Sequence, residues 1–454
     1  MDCLKKLSRE IRVTELDLGT QVDVCDGVPD RLSFLRDYVA CNKPLLIRGA
    51  VQHWPAVKDD KWSWEGLQGK LDGKQVTVAV MPNGRADAVQ DATLSPDGDV
   101  QTCFVLPLEE SMPFEQFAAH LKQQHPANWP SAGCSSSAHD NQTGSTDNTA
   151  LAARSDTRLQ IRQQAQQVPC CSQSCVGTAA SDLASAHVSL DAHPVQAQEA
   201  CSLPEHLVSV ATSGQQRASH NHLDRQTPSD GKPPTQTGVA AAEFHRRAAE
   251  VLYLQQQNSN LTNAEFSSLH QDVELEIPWA RDVFGGSPDA CNLWIGNECS
   301  TTSFHKDHYE NLFAVVAGEK RFVLLPPCDV YRLYMQQYPV AITERSDEGR
   351  LQARLAEPTS HVKWTQIDPF NPASPEDQAR FPLFYNADMA KPFHVTVKPG
   401  DLLYLPSLWL HAVAQKPDTE NKVIGVNFWY DMKFDHRYAY CTLVSELADA
   451  LNND

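Results

Sequence analysis

The sequence contains no long apolar run. Its 454 residues have a mean hydropathy of −0.42, and no segment reaches the roughly 18 consecutive apolar residues that a membrane-spanning helix needs. Residues 1–12 carry four basic side chains but lack the apolar core of about seven residues that a secretory signal peptide requires. We therefore predict no membrane partner and a cytoplasmic protein, and the sequence leaves access to the nucleus open.

Basic runs are also missing. Asp and Glu number 57 and Lys and Arg number 38, which gives a formal net charge of −19. An acidic surface repels phosphate backbones, so nonspecific binding to nucleic acid needs a local cluster of Lys and Arg. The sequence contains no such cluster. We therefore predict no nucleic-acid partner.

Aromatic residues are absent from residues 130–243, a segment rich in Ser, Gln, Ala, Thr, Asp and His. Such a segment buries too little apolar area to offset the entropy lost on ordering, so we predict a disordered insertion. All Phe, Tyr and Trp residues lie outside it, which suits one interrupted globular domain. The predicted parts are N-terminal helices and strands at 1–129, the insertion at 130–243, a barrel core at 244–436 and a C-terminal helix at 437–454.

Turn residues separate short apolar segments in the chain after the insertion. Ala317-Gly318-Glu319 predicts a hairpin between strands at 311–316 and 320–325, and Lys398-Pro399-Gly400-Asp401 predicts a second hairpin turn. Many short strands with brief helices predict a mainly β fold with flanking helices, a double-sheet jelly roll or small barrel. Further strands are predicted at 44–49, 75–81, 251–255, 292–295, 394–397, 401–405 and 423–430, and helices at 30–39, 113–124 and 437–451.

Two histidines and an aspartate form a candidate metal site. His305 and Asp307 are two residues apart, so on a strand or its edge their side chains point the same way. His411 stands five residues after Pro406, in a segment that opens with the turn residue Gly400. A His-x-Asp pair alone arises easily by chance among seventeen histidines, and most strand histidines are structural. Together the three residues suit the two-His, one-carboxylate site of Fe(II) enzymes that activate O2.

A lysine in the strand after the 317–319 turn is a second signal. Lys320 opens the apolar strand 320–325. A lysine that faces a barrel interior needs an anionic partner, because an unpaired buried ammonium costs several kcal/mol. The alternative is a lysine that extends to solvent. Beside an iron site, the anionic partner could be a dicarboxylate cosubstrate.

These motifs together resemble those of the JmjC-domain 2-oxoglutarate oxygenases, and within that family the lysyl hydroxylases. The resemblance covers the chain outside the insertion. It is carried by the segments Asn42–Ala56, Val251–Leu261, Ser303–Phe313, Gly318–Phe322, Tyr404–His411 and Val426–Met432. The insertion departs from the family pattern, and it leaves the metal and cosubstrate positions intact. The resemblance implies the JmjC form of the jelly roll, a double-stranded β-helix.

The resemblance also implies the cofactors and their ligands. Fe(II) would be held by His305, Asp307 and His411, with 2-oxoglutarate as cosubstrate and O2 as oxidant. Lys320 would pair with the distal carboxylate of 2-oxoglutarate. No catalytic residue is implied beyond the metal ligands. The full set of cosubstrate residues would be Tyr253, Thr302, Asn311, Lys320, Asn427 and Trp429.

The leading hypothesis for function is hydroxylation of a lysyl side chain at C-3. The resemblance implies a protein substrate, a GTPase of the translation-factor class, and a homodimer formed through the C-terminal helix. Three alternatives stay open. The same site could demethylate N-methylated lysine or arginine, a divalent ion could activate water in a peptidase, or the chain could be a non-catalytic scaffold whose insertion binds partners.

Overall fold

The computed structural model describes residues 1–15, 21–94, 100–124, 250–371, 373–386 and 391–452. The predicted insertion, 130–243, lies outside these residues, as do the domain boundaries proposed on either side of it. No helix in the described ranges is both long enough and apolar enough to span a bilayer.

Helices occupy both ends of the chain and the intervals between groups of strands. Three of the described helices begin at side-chain caps: the Asp30 carboxylate accepts from the Ser33 amide, the Ser63 hydroxyl from the Gly66 amide and the Ser374 hydroxyl from the Asp377 amide. Short π-helical segments follow at Ile11–Glu15 and Leu35–Val39, and 3-10 helices span Asn260–Thr262, Ala264–Leu269 and Pro327–Leu333. The α-helices are α1 Asp2–Glu10, α2 Arg31–Phe34, α3 Pro55–Lys58, α4 Trp64–Leu71, α5 Phe114–Gln123, α6 Pro278–Phe284, α7 Pro375–Arg380, α8 Pro382–Tyr385 and α9 His436–Asn452.

Strands supply most of the regular structure. In chain order they are β1 Asp23–Asp26, β2 Leu45–Arg48, β3 Gln75–Met81, β4 Arg85–Ala86, β5 Ala88–Thr93, β6 Val100–Leu106, β7 Leu108–Pro113, β8 Val251–Tyr253, β9 Ala290–Gly296, β10 Thr301–His305, β11 Tyr309–Ala317, β12 Glu319–Leu325, β13 Gln336–Arg345, β14 Leu351–Leu355, β15 His361–Trp364, β16 Phe393–Val397, β17 Leu402–Leu405, β18 Leu410–Lys416 and β19 Val423–Asp431.

Two sheets face each other and enclose one apolar interior. The larger sheet has the order β1-β2-β17-β11-β19-β9, and the smaller has the order β16-β12-β18-β10-β4. Side chains from both sheets pack in the same buried cluster, including Phe313 and Leu403 from the larger sheet and Phe322 and Val413 from the smaller one. This arrangement is the double-stranded β-helix, and it confirms the predicted fold class.

Helical segments cover the outer faces of the two sheets. Leu312 and Phe428, on the outer face of the larger sheet, share a core with Trp54 and the helical residues Phe34 and Phe117. On the smaller sheet, Val323 and Leu410 pack with residues of α1, the 3-10 helix Pro327–Leu333 and α9. A strand that is buried on both faces has apolar residues at nearly every position, so its sequence is a nearly continuous apolar run. The predicted flanking helices are thereby confirmed.

The predicted hairpin between the strands on either side of Gly318 is wrong. β11 pairs with β17 and β19, whereas β12 pairs with β16 and β18. The turn therefore carries the chain from the larger sheet to the smaller one. Gly318 has φ +65°, and a Cβ there would lie 2.8 Å from the carbonyl oxygens of Lys416 and Lys422. Glycine is needed at this crossing for both reasons.

Two further sheets flank the barrel. One has the order β14-β13-β6-β5, with β15 paired to β13, and the other has the order β7-β3-β8. Leu254, which follows β8, forms an isolated bridge to Ile295 of β9. This bridge sets Tyr253 beside the larger sheet, while β15 brings Trp364 to strand β10, which ends at His305.

Candidate metal centre

The two histidines of the candidate site lie opposite each other on neighbouring strands. His305 ends β10 and pairs with His411 of β18, and the centroids of the two rings are 4.1 Å apart. Thr302 pairs with Val413, so β10 contains one more residue than β18 between the two pairs. This bulge turns His305 toward the same side as His411.

Asp307 completes the group from the loop that follows β10. Its Oδ2 atom lies 3.8 Å from His305 Nε2 and 3.6 Å from His411 Nε2. One ligand atom from each of the three residues lies within 4.8 Å of the others. The Asp307 carbonyl also accepts from the Leu408 amide at 2.9 Å, which fixes the loop against the start of β18.

Backbone carbonyls orient both imidazoles. His305 Nδ1 lies 2.9 Å from the Ser303 carbonyl oxygen, and His411 Nδ1 lies 2.9 Å from the Trp409 carbonyl oxygen. If Nδ1 donates in each case, both Nε2 lone pairs face Asp307 and are free to bind a metal. Burial and the neighbouring His305 lower the pKa of His411 to about 4, although Asp307 opposes the shift. A neutral imidazole at physiological pH is the form that binds metals.

A tryptophan contacts the strand that carries His305. The Trp364 ring lies parallel to the His305 ring, at 6.4 Å between centroids. Its Nε1 atom donates to the Ser303 hydroxyl at 2.9 Å, and that hydroxyl donates to the Asp87 carbonyl at 2.7 Å. Sequence reasoning missed Trp364 and Ser303 in this role, because nothing in their spacing links them to His305.

Lys320 lies in the barrel interior on β12. Its side chain is 1% exposed, and Nζ donates to the Tyr253 hydroxyl at 2.8 Å. Its Nζ lies 5.1 Å from the Tyr253 ring centroid and 5.8 Å from that of Phe313. No carboxylate of the described residues lies within 4.0 Å of this ammonium, and burial lowers the pKa of Lys320 to about 7. Lys320 is thus a buried cationic side chain with no anionic partner among the described residues.

The remaining predicted cosubstrate residues line the same interior. Asn427 Nδ2 donates to Asn311 Oδ1 at 3.2 Å, and Asn427 Oδ1 accepts from Trp294 Nε1 at 2.8 Å. Trp429 stands opposite Asn311 in the sheet register and stacks on Tyr309 at 4.9 Å between centroids. Thr302 lies on β10, whose pairing with β18 places it opposite Val413, a residue of the barrel core.

Comparison with known proteins identifies the family. The cupin-like domain family matches residues 31–187 and 178–436. A protein of Arabidopsis thaliana named Lysine-specific demethylase JMJ32 is 35% identical over 450 residues, which cover 98% of this chain and 91% of that protein. The chain belongs to the cupin-like JmjC oxygenases.

Two other relatives also align along most of their length. The human protein named Bifunctional peptidase and (3S)-lysyl hydroxylase JMJD7 is 28% identical over 97% of this chain and 93% of its own. JmjC domain-containing protein E of Dictyostelium discoideum is 25% identical, with 92% of this chain and 86% of that protein covered. The resemblance to JmjC oxygenases is therefore confirmed.

The residues present suit the cofactors that JmjC oxygenases use in general, Fe(II), 2-oxoglutarate and O2. Two imidazoles and one carboxylate form the donor set that Fe(II) oxygenases use, and they leave other coordination positions open. Lys320 supplies a buried positive charge that no acidic side chain of the described ranges neutralises, as the distal carboxylate of a dicarboxylate requires.

Proposed function

We propose that the protein is an Fe(II)- and 2-oxoglutarate-dependent hydroxylase that acts on a lysyl side chain at C-3. The observation that carries the oxygenase chemistry is the buried Lys320 ammonium in the barrel that also presents the His305, Asp307 and His411 group. A hydrolytic metal site has no use for such a cation. The choice of lysyl hydroxylation is supported by the printed name of the human relative.

The chain's own residues would bind and orient the reactants. His305, Asp307 and His411 would hold Fe(II), and Lys320 with the Tyr253 hydroxyl would hold the far end of 2-oxoglutarate. Iron with this cosubstrate supplies the oxidation of an unactivated C–H bond. Asn311 and Asn427 would contribute amide groups near the metal-bound end of the cosubstrate.

Mass spectrometry of a lysine substrate tests the reaction. We propose a GTPase of the translation-factor class as substrate, and incubation with Fe(II), 2-oxoglutarate and O2 should add one oxygen to a lysine. An N-methylated lysine peptide incubated in parallel should keep its methyl groups. Loss of methyl groups, with no oxygen added to unmodified lysine, would contradict hydroxylation and support demethylation.

Demethylation and peptide cleavage are the second candidates, each favoured by the name of one relative. The Arabidopsis relative is named a lysine-specific demethylase, and the human relative is also named a peptidase. Cleavage that continues without O2 and 2-oxoglutarate, and that stops in His305→Ala, would support the peptidase. His308→Ala is the matched control for His305→Ala. It removes a neighbouring histidine, whose ring packs against Phe434 and Tyr438.

We also propose that the protein forms a homodimer through α9 and acts in the cytoplasm, with access to the nucleus open. The support for the dimer is a row of exposed leucines along the helix, Leu443, Leu447 and Leu451. Sedimentation should give a dimer for the wild type and a monomer for Leu447→Glu. A wild-type monomer at all concentrations would contradict the dimer.

Cell fractionation tests the proposed cytoplasmic location.

A further inference from the structure

A second polar pair lies beside the Lys320–Tyr253 pair inside the barrel. Gln415 of β18 is 7% exposed and stands directly opposite Lys320 of β12 in the sheet register. Its Nε2 atom donates to the Ser300 carbonyl at 3.1 Å and to the Ser300 hydroxyl at 2.5 Å. Gln415 therefore stands between Ser300, just before β10, and Lys320 on β12.

The Gln415 amide oxygen has no hydrogen-bond donor among the described residues. Its Oε1 atom is buried and unpaired, whereas buried polar atoms are nearly always satisfied. The Gln415 amide nitrogen contacts Ser300, whereas the amide oxygen makes no such contact. Lys320 stands directly opposite Gln415 on the neighbouring strand, so the two side chains lie on the same face of the sheet.

The Lys320 ammonium has more N–H donors than the described residues have acceptors for it. An ammonium carries three donors, and the described residues provide one acceptor within hydrogen-bond distance, the Tyr253 hydroxyl at 2.8 Å. Gly296 brings the two pairs together: a Cβ there would lie 2.6 Å from the Tyr253 ring and 2.8 Å from the Ser300 hydroxyl oxygen. An unpaired acceptor and a cation with unused donors thus share one buried interior.

We propose that Gln415 is a positioning residue of the cosubstrate site, which accepts a hydrogen bond from the Lys320 ammonium when the dicarboxylate is bound. With Tyr253 and Gln415 as two acceptors, the third N–H of Lys320 points at the distal carboxylate. The amide dipole also favours the charged form of a lysine that burial would otherwise neutralise. This inference rests on the proposed function.

Calorimetric titration of 2-oxoglutarate into the Fe(II)-loaded protein without O2 tests the role. Gln415→Met keeps the length of the side chain but removes the acceptor, and it should weaken 2-oxoglutarate binding about tenfold with unchanged Fe(II) affinity. Gln415→Glu should abolish binding, because the new carboxylate neutralises Lys320 and repels the dicarboxylate. If Gln415→Met does not fold, Gln415→Glu still tests the proposal.

A matched control lies on the same strand. Ala414 faces the opposite side of the sheet, where it pairs with the exposed Arg321, and Ala414→Ser should leave both affinities within about twofold. Wild-type affinity for 2-oxoglutarate in Gln415→Met, or a parallel loss of Fe(II) affinity, would overturn the positioning role alone. A wild-type protein that binds Fe(II) but no 2-oxoglutarate would overturn the proposed function and this inference together.

Discussion

A buried ammonium without an acidic partner costs free energy, so removal of Lys320 should stabilise the ligand-free fold. Lys320→Met replaces a buried ammonium that has no acidic partner among the described residues, and we expect a gain of about 1–4 kcal/mol in unfolding free energy at pH 7. Urea unfolding measures it. Arg321→Met is the control, since it removes a positive charge from an exposed position on the same strand.

The pH dependence of this gain has a definite sign. Burial lowers the pKa of Lys320 from 10.5 to about 7 in the folded protein, so the unfolded chain binds the proton more tightly. The penalty is therefore full below pH 7 and disappears as the pH rises toward 10.5. A Lys320→Met protein that is less stable than the wild type at pH 7 would contradict this description of the site.

Sequence reasoning identified some residues of the site and missed others for a physical reason. The spacing of His305 and Asp307 and the turn before His411 are local signals, and the structure brings these three residues together. Gln415 and Trp364 contact site residues only through strand pairing and tertiary packing. A local sequence pattern does not predict such contacts.

At the scale of elements, the crossing turn at Gly318 should be sensitive to substitution. Gly318→Ala adds a Cβ at positive φ and within 2.8 Å of two carbonyl oxygens, so we expect a loss of about 2 kcal/mol or more. Gly285 has φ +84° with no atom within 4 Å of an added Cβ, and Gly285→Ala should lose about 1 kcal/mol. Equal losses in thermal unfolding would contradict the close approach at Gly318.

The apolar strands were predictable and the half-exposed ones were not. The sequence predicted β3 at its observed bounds and located β11, β12 and β19 to within about two residues. β14 alternates between half-buried and exposed residues and gave no apolar signal. The strand pairing predicted from the sequence was wrong at two turns. The sequence indicated hairpin turns at Gly318 and Gly400, whereas each of these turns joins strands of different sheets.

At the scale of the whole molecule, the described ends on either side of residues 125–249 lie next to each other. Gln124 Nε2 donates to the Glu250 carbonyl at 2.8 Å, and the same carbonyl oxygen lies 2.8 Å from His120 Nε2. A chain that leaves and returns at adjacent points can lose the intervening segment at little cost in loop closure.

Deletion of residues 130–243 tests the predicted organisation. The deletion would leave 11 residues to join ends that lie next to each other, so we expect the melting temperature, Fe(II) affinity and 2-oxoglutarate affinity to change little. Thermal unfolding and calorimetry measure these three quantities. Loss of folding would show that the segment is part of the domain, contrary to its prediction as a disordered insertion.

The most direct test of the oxygenase site is an anaerobic titration with Fe(II) and then 2-oxoglutarate, followed by visible absorbance. The account predicts a weak charge-transfer band that needs both components, persists in His308→Ala and disappears in His305→Ala and His411→Ala. It also predicts a much higher 2-oxoglutarate requirement in Lys320→Met. A folded, metal-bound wild-type protein that develops no band would contradict the central claim, that this barrel binds the iron and the dicarboxylate together.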